Sequence, residues 1–399
     1  MQMTARSRQT IAELPKVGGL RLPSIDATRG LIIALMAIDH ARGFIAKNHP
    51  GEFWGRPLPD YGGDALAFLT RLVTHPCAPG FFFLMGAGMA LLAAARAEAN
   101  WSTGRIVRHF VRRGLVLILL GQVLEIPASS FAFANATRVE FYGVRVPGGG
   151  GSVPSLILGV LYALGAALVL ASVLVRLRPA ALVGVAAAGA FVAQWITPSP
   201  AQADVPFHPL LRLLFIPGQT GSLLVVYPAV AWLPCTILGM AFARWLLDDR
   251  EAAFRRAALA GILFLGLFGV IRALGEIGNV LPPRPGWIGF FNLVKYPPSL
   301  TFLLFTLGVD LLVLAAFERW RVGEQAWARP LLVFGSVPLF FFFAHLWLYA
   351  AIGRFFPAGT TLPRMYVFWL IGLVLLYWLC RWYGEFKRRR PEGSIFRML

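Results

Sequence analysis

RLPSIDATRGLIIALMAIDHARGF, residues 21–44, decides how the rest of the chain is read. The run is long enough for a membrane-crossing helix, which needs about 17–25 residues. It nevertheless holds Asp26, Arg29, Asp39, His40 and Arg42. Ionisable groups in hydrocarbon cost about 2.5–3.5 kcal/mol each on insertion scales, so they face a bundle interior or water. Arg29 and His40 stand eleven residues apart, which puts them on nearly the same helix face, about 16 Å apart along the axis. Asp26 precedes Arg29 by three and is placed to pair with it. One face therefore carries an ion pair at one end and an imidazole near mid-membrane. A polar stripe that only binds neighbouring helices is the competing reading, but adjacent Asp39 and His40 make a poor packing surface.

The other residues agree with a helix in a bilayer. Of 399 residues 57% are hydrophobic and 14% charged, with 32 Phe and 12 Trp and a mean hydropathy of +0.67. Soluble domains carry about 25% charged residues, so no sizeable soluble domain is left over. Apolar stretches at 30–46, 79–95, 107–126, 153–175, 179–197, 223–246, 254–275, 299–318, 330–352 and 363–384 predict an all-α polytopic bundle of about ten spans, nine to eleven. Residues 64–74 read as a short interfacial helix or the tilted start of the second span. With the N-terminus inside, 25 of the 37 Lys and Arg fall in inside segments. The formal charge of +18 is thus the excess of cytoplasmic Lys and Arg expected of membrane proteins, not a nucleic-acid footprint. Both termini are expected in the cytoplasm. Residues 1–20, which have no apolar signal-peptide core, form an N-terminal tail, 21–385 the transmembrane domain and 386–399 a basic C-terminal tail. The outside loops 47–63, 127–152, 198–222 and 276–298 are rich in Pro, Gly and aromatics and suit a cap over a cavity. GGGGS at 148–152 lacks the following Lys-Ser/Thr of a phosphate loop and reads as a flexible turn. Cys77, Cys235 and Cys380 have no CxxC spacing and sit among apolar residues, as core side chains do. No internal repeat is evident, which counts against a transporter built from inverted halves.

Chemistry gathers in a few further places. In THPCAPGFFFLMGAGMAL, residues 74–91, His75 precedes two prolines in four residues, so the chain bends there and the freed carbonyls need partners. A hydrogen-bonded histidine at a helix break is the plain reading of His75 and a catalytic role the sharper one. Gly86-Ala87-Gly88 is small enough for close helix approach. Glu125 ends the third span, Arg272 lies near the outer end of the seventh, Asp310 mid-span in the eighth and His345 in the outer third of the ninth. Lys295 precedes the eighth span in NLVKYPPSL. Together with His40 and His75, these residues outline a polar substrate cavity opening outward. No HExxH, CxxC or acidic ligand cluster supports a metal.

Four runs in order (residues 21–44, THPCAPGFFFLMG, NLVKYPPSLTFLLFTLG and FGSVPLFFFFAHLWL) resemble bacterial homologues of heparan-α-glucosaminide N-acetyltransferase over about Arg21 to Tyr383. More broadly the chain resembles the transmembrane acyltransferase superfamily, whose first span carries an Arg, ten residues, then His, as Arg29 and His40 do. The resemblance implies an inner-membrane acyltransferase that takes acetyl from cytosolic acetyl-CoA. A sugar amine or hydroxyl beyond the membrane would receive it, with a catalytic histidine and no metal. The lysosomal enzyme keeps its active histidine after the first span, where His49 is the closest residue here. His40, His49 and His75 are thus the catalytic candidates, with Asp39 beside them. Candidates for holding coenzyme A are Arg29, with Asp26 paired to it, and Arg108, Arg112 and Arg113, the arginines meeting its phosphates. Since Asp39 points about 100° away from its neighbour, Glu125 or Asp310 is the expected orienter of His40. Partners would be acetyl-CoA, an extracytoplasmic glycan and membrane lipid, with a homodimer left open. A transporter or flippase using the same cavity without acyl transfer is the alternative, and a scaffold explains the buried ionisable residues worst.

Overall fold

The computed structural model describes residues 22–47, 51–134, 156–391 and 394. The tail 1–20, His49, the GGGGS run at 148–152 and most of the tail beyond 391 lie outside them. The chain enters at α1 (Pro23–Ile45), where Pro23 occupies the first turn, whose N–H groups have no intrahelical partner in any case. Sixteen of its residues from Ser24 to Ile45 are buried, because five later helices all pack on it. A helix so enclosed needs no amphipathic stripe, and its ionisable residues are held inside protein.

Residues 64–74 form α2 (Ala65–Leu72), N-capped by Asp64, whose carboxylate accepts from the Ala67 N–H at 2.9 Å. A turn through His75 and Pro76 leads into α3 (Cys77–Glu98). Next, α4 (Thr103–Leu120) passes through a π-helical turn, Gly121–Glu125, into α5 (Ile126–Phe133). The cause is Pro127, which lacks an N–H and would clash with the carbonyl of a regular preceding turn. The chain continues through β1 (Leu156–Leu158), α6 (Val160–Ala171), α7 (Pro179–Ile196), α8 (Pro209–Leu214), β2 (Gly218–Thr220) and β3 (Leu223–Val225). It ends with α9 (Ala229–Asp248), α10 (Arg250–Leu274), α11 (Gly286–Phe291), α12 (Leu300–Arg319), α13 (Arg329–Ser336), α14 (Pro338–Gly353) and α15 (Leu362–Arg388).

Among the described residues seven helical segments are long and apolar enough to cross a membrane, or eight if the bent α13–α14 pair is one span. The bundle is all-α and polytopic apart from three short strands, with β3 central, parallel to β1 and antiparallel to β2. Two expected spans fall outside that count. One is α1, for its charged residues Asp26, Arg29, Asp39 and Arg42; the other is α6, twelve residues long and continued by one 3₁₀ turn. The expected span at 330–352 is bent, since α13 and α14 meet at 90°. Pro338 cannot donate to the preceding turn and pushes Val337 out of helical geometry.

Burial sorts the helices into an inner and an outer set. The most apolar window is 67% buried in α9 and 11% buried in α7. On α10 the side chains of Leu259, Ile262, Leu263 and Val270 are all more than half exposed, a surface suited to lipid and not to water. Inner helices meet at glycines. A Cβ on Gly86 would overlap the Thr236 carbonyl, and one on Gly239 the Phe83 carbonyl, so α3 and α9 touch backbone to backbone. Gly30 and Gly335 join α1 to α13 in the same reciprocal way. Cys77, Cys235 and Cys380 are free thiols in the core.

Candidate active site

Two cavities border one face of α1. Arg29, Ile33, Met36 and His40 follow one another at steps of four, three and four residues, the helical repeat of a single stripe. Arg29, Ile33 and Met36 line a larger, mostly apolar cavity of about 410 Å³, and Met36 and His40 a smaller, polar one of about 110 Å³. Met36, Phe81 and Val160 belong to both linings, so the two spaces adjoin at these apolar side chains.

Three cations, Arg29, Arg113 and Lys387, line the large cavity. Arg29 donates to Asp26 at 2.9 Å and to the Gly335 carbonyl at 3.1 Å, as the three-residue spacing predicts for the ion pair. Arg108 and Arg112 lie on the exposed side of α4 and do not line this cavity. Lys387 was missed in the sequence because it reads as one more basic residue of the C-terminal tail.

The polar cavity is lined by Asp39, His40, Arg71, Thr74, Glu125 and Lys295, with Tyr227 and Tyr296. His40 Nδ1 sits 2.8 Å from His345 Nε2, and His345 Nδ1 lies 2.9 Å from the Phe341 carbonyl. The ring of His40 packs against Phe44 and the edge of Phe342. The expected orienters of His40 are therefore replaced by His345. Glu125 instead accepts from the backbone N–H groups of Val160 and Leu161 at the start of α6. Asp310 is packed beside Gly80 and Ile32, away from both cavities, and its Oδ2 has no hydrogen-bond partner among the described residues. Lys295 is buried, its Nζ 5.3 Å from the Tyr296 ring centroid.

Arg272 also departs from the cavity expected for it. All five of its N–H donors are taken, by Asn279 Oδ1 and by the carbonyls of Leu281, Gly289, Phe290 and Asn292. It ties together the segment around α11 and has no donor left for a substrate.

A buried ionic network fixes the floor of the polar cavity. Arg71 Nε and Nη2 grip Glu52 Oε1 and Oε2 at 2.8 and 2.6 Å, while Nη1 pairs with Asp39. Thr74 Oγ1 donates to Asp39 at 3.3 Å, and His75 Nε2 lies 3.7 Å from Glu52. The His75 ring has no closer polar contact among the described residues, so the bend it occupies is held by this network and by Phe302 beside its ring. Burial alone would raise the Glu52 carboxyl. The charge and hydrogen bonds of Arg71, with His75 behind them, outweigh burial and hold Glu52 well below the usual carboxylate range. Neither Glu52 nor Arg71 stood out in the sequence, one lying in a loop and the other in an apolar run. The available signal was a lone arginine four residues before His75. No group of three or more His, Cys, Asp or Glu among the described residues is arranged to hold a metal.

The site thus combines an imidazole in a polar cavity with an apolar channel that ends in cations. Against known proteins, residues 21–270 match the family described as heparan-alpha-glucosaminide N-acetyltransferase, catalytic. The match holds α1, the Glu52–Arg71 pair and most of both cavity walls, and ends before Lys295 and His345. No match was found among the curated proteins. The family match covers more than half of the chain, in the region that builds both cavities, and the chain belongs to the heparan-alpha-glucosaminide N-acetyltransferase catalytic family of membrane acetyltransferases.

Proposed function

We propose that the protein moves an acetyl group from acetyl-CoA, bound through the large cavity, to an amine or hydroxyl of a sugar held in the polar one. The observation that carries this reading is the pair of cavities meeting on one stripe of α1, cations at one end and His40 at the other. Coenzyme A has matching parts. Its phosphates suit Arg29, Arg113 and Lys387, since guanidinium groups bind phosphate with charge-assisted, often bidentate bonds. Its pantetheine arm suits the apolar wall of Leu84, Met85, Met89 and Leu164. The thioester then arrives at the Met36–Phe81–Val160 boundary, where Met36 lies about 10 Å along α1 from Arg29 and His40 about 16 Å.

His40 takes the proton of the acceptor amine or hydroxyl while the acceptor attacks the thioester carbonyl. The tetrahedral intermediate collapses with cleavage of the carbon–sulfur bond, and the thiolate of coenzyme A recovers the proton from the imidazolium. His40 is favoured over His75, which is buried beside Glu52 and lines neither cavity; His49 lies outside the described residues. Glu125, Lys295 and Tyr227 supply polar groups for the acceptor's hydroxyls. The orientation that suits this reading puts the Arg29 end in the cytosol. The basic clusters at Arg105–Arg113, Arg250–Arg256, Arg319–Arg329 and Lys387–Arg390 fall at that end if ten crossings alternate. Both termini are then cytoplasmic, in what the resemblance implies is a bacterial inner membrane.

Calorimetry with acetyl-CoA tests the channel. Arg29→Ala is expected to weaken binding at least tenfold, and Arg29→Lys less. Equal affinity in the parent and Arg29→Ala would overturn the assignment of this end.

A further inference from the structure

The contact between His40 and His345 leaves open which ring nitrogens carry hydrogen, and the backbone of α14 resolves it. His345 is fully buried. Its Nδ1 lies 2.9 Å from the carbonyl oxygen of Phe341, one turn earlier. A carbonyl oxygen only accepts, so this nitrogen carries the hydrogen. A neutral imidazole has one N–H, which leaves His345 Nε2 with its lone pair directed at His40 Nδ1, 2.8 Å away. The hydrogen in that bond must then sit on His40 Nδ1, and the lone pair of His40 remains on Nε2. No described residue bonds Nε2, and His40 lines the polar cavity while His345 does not.

We propose that His345 is a positioning residue: by accepting from His40 Nδ1–H it holds the basic Nε2 of His40 toward the acceptor cavity. The inference rests on His40 being the base. The reverse arrangement would set a lone pair of His345 against the Phe341 oxygen in a buried site, an unpaired contact that costs more there than in water. A doubly protonated His345 would bury a charge with no carboxylate within 4 Å among the described residues. The chemistry gains from the neutral acceptor. When Nε2 takes the acceptor's proton, the Nδ1–H bond to His345 persists and the ring does not turn. When the departing thiolate removes that proton, the starting tautomer is restored. A carboxylate in the place of His345 would orient the ring equally well but add another buried charge at membrane depth, where charges are costly.

The test is nitrogen NMR of the purified full chain labelled at histidine, with the His40 signals assigned by their loss in His40→Ala. The parent is expected to show a protonated Nδ1 and a bare Nε2 on His40. His345→Phe removes the acceptor and should populate the Nε2–H form. His345→Gln presents an amide oxygen near the lost Nε2 and should restore the Nδ1–H form. Acetyl transfer should fall on the order of 10²-fold or more in His345→Phe and return to within about tenfold of the parent in His345→Gln. A parent spectrum with hydrogen on Nε2, or one unchanged in His345→Phe, would overturn the proposal. If His345→Phe does not fold, the parent and His345→Gln spectra still decide it. The spectra need no turnover, so the tautomer is decided separately from the acetyltransferase reading, which fails on its own if His40→Ala keeps full transfer.

Discussion

Arg71 is the residue on which the polar cavity most depends, since its three nitrogens hold a loop carboxylate, Glu52, and an α1 carboxylate, Asp39. Removing one partner of a buried ion pair leaves an uncompensated charge and costs about 3–5 kcal/mol. Arg71→Met should therefore destabilise the protein by at least that much, seen as a clear fall in thermal midpoint in detergent. Arg71→Lys should recover only part of the loss, because an ammonium cannot reproduce the fork. The same network predicts a pH dependence. The folded Glu52 lies below its ordinary value of 4.5, so its stabilisation is fully present above that pH and is lost as the pH falls below it. Thermal midpoints of the parent, measured from pH 7 to well below 4.5, should hold above that value and drop beneath it. Glu52→Gln should start lower at pH 7 and change less. A parent curve flat through that window, or a variant as acid-sensitive as the parent, would contradict the depressed carboxyl. The Arg29–Asp26 pair and the shared face of Arg29 and His40 were readable from spacing, because both are contacts within one helix. Glu52, Arg71 and the pairing of His345 with His40 were not, because the partners come from different elements and no periodicity relates them.

At the scale of elements, the glycines separate packing from cavity. Gly86 and Gly88 stand two residues apart on α3, and the sequence offers both as small packing residues. A Cβ on Gly86 would overlap the Thr236 backbone, while one on Gly88 meets nothing within 4 Å because that position lines the large cavity. Gly86→Ala should cost about 1–3 kcal/mol by forcing α3 and α9 apart, and Gly88→Ala should be close to neutral. Gly88→Leu should retain the thermal midpoint of the parent yet weaken acetyl-CoA binding, since its side chain enters the channel proposed for pantetheine. Full binding by Gly88→Leu would argue against that route. Helix existence and approximate limits were legible for the apolar stretches from hydropathy and length. The 90° break between α13 and α14 and the π-turn before α5 were not. Each follows from a single proline whose effect depends on neighbours that accept the displaced backbone, Asp26 and Gly30 against Gly335 in the first case.

For the whole molecule, the account joins a lipid-facing outer shell, an inner set of helices packed backbone to backbone, and a stripe on α1 that connects a cationic mouth to an imidazole. Hydropathy makes the shell visible in a sequence; the connection of the two cavities depends on three-dimensional packing around Met36, Phe81 and Val160 and has no sequence signature. The orientation across the membrane can be checked by labelling single cysteines placed at Asp60 and at Gly104, which the proposed topology puts on opposite sides; labelling of both from the same side would contradict it. The central claim is that acetyl passes along this stripe and that His40 is the base. Its most direct measurement supplies radiolabelled acetyl-CoA to right-side-out and inside-out membrane vesicles carrying the parent or His40→Ala, and counts label fixed on glycan. The account predicts transfer when acetyl-CoA has access to the Arg29 side, and a loss of about 10²–10⁴-fold in His40→Ala with acetyl-CoA binding retained. Undiminished labelling by His40→Ala would contradict it.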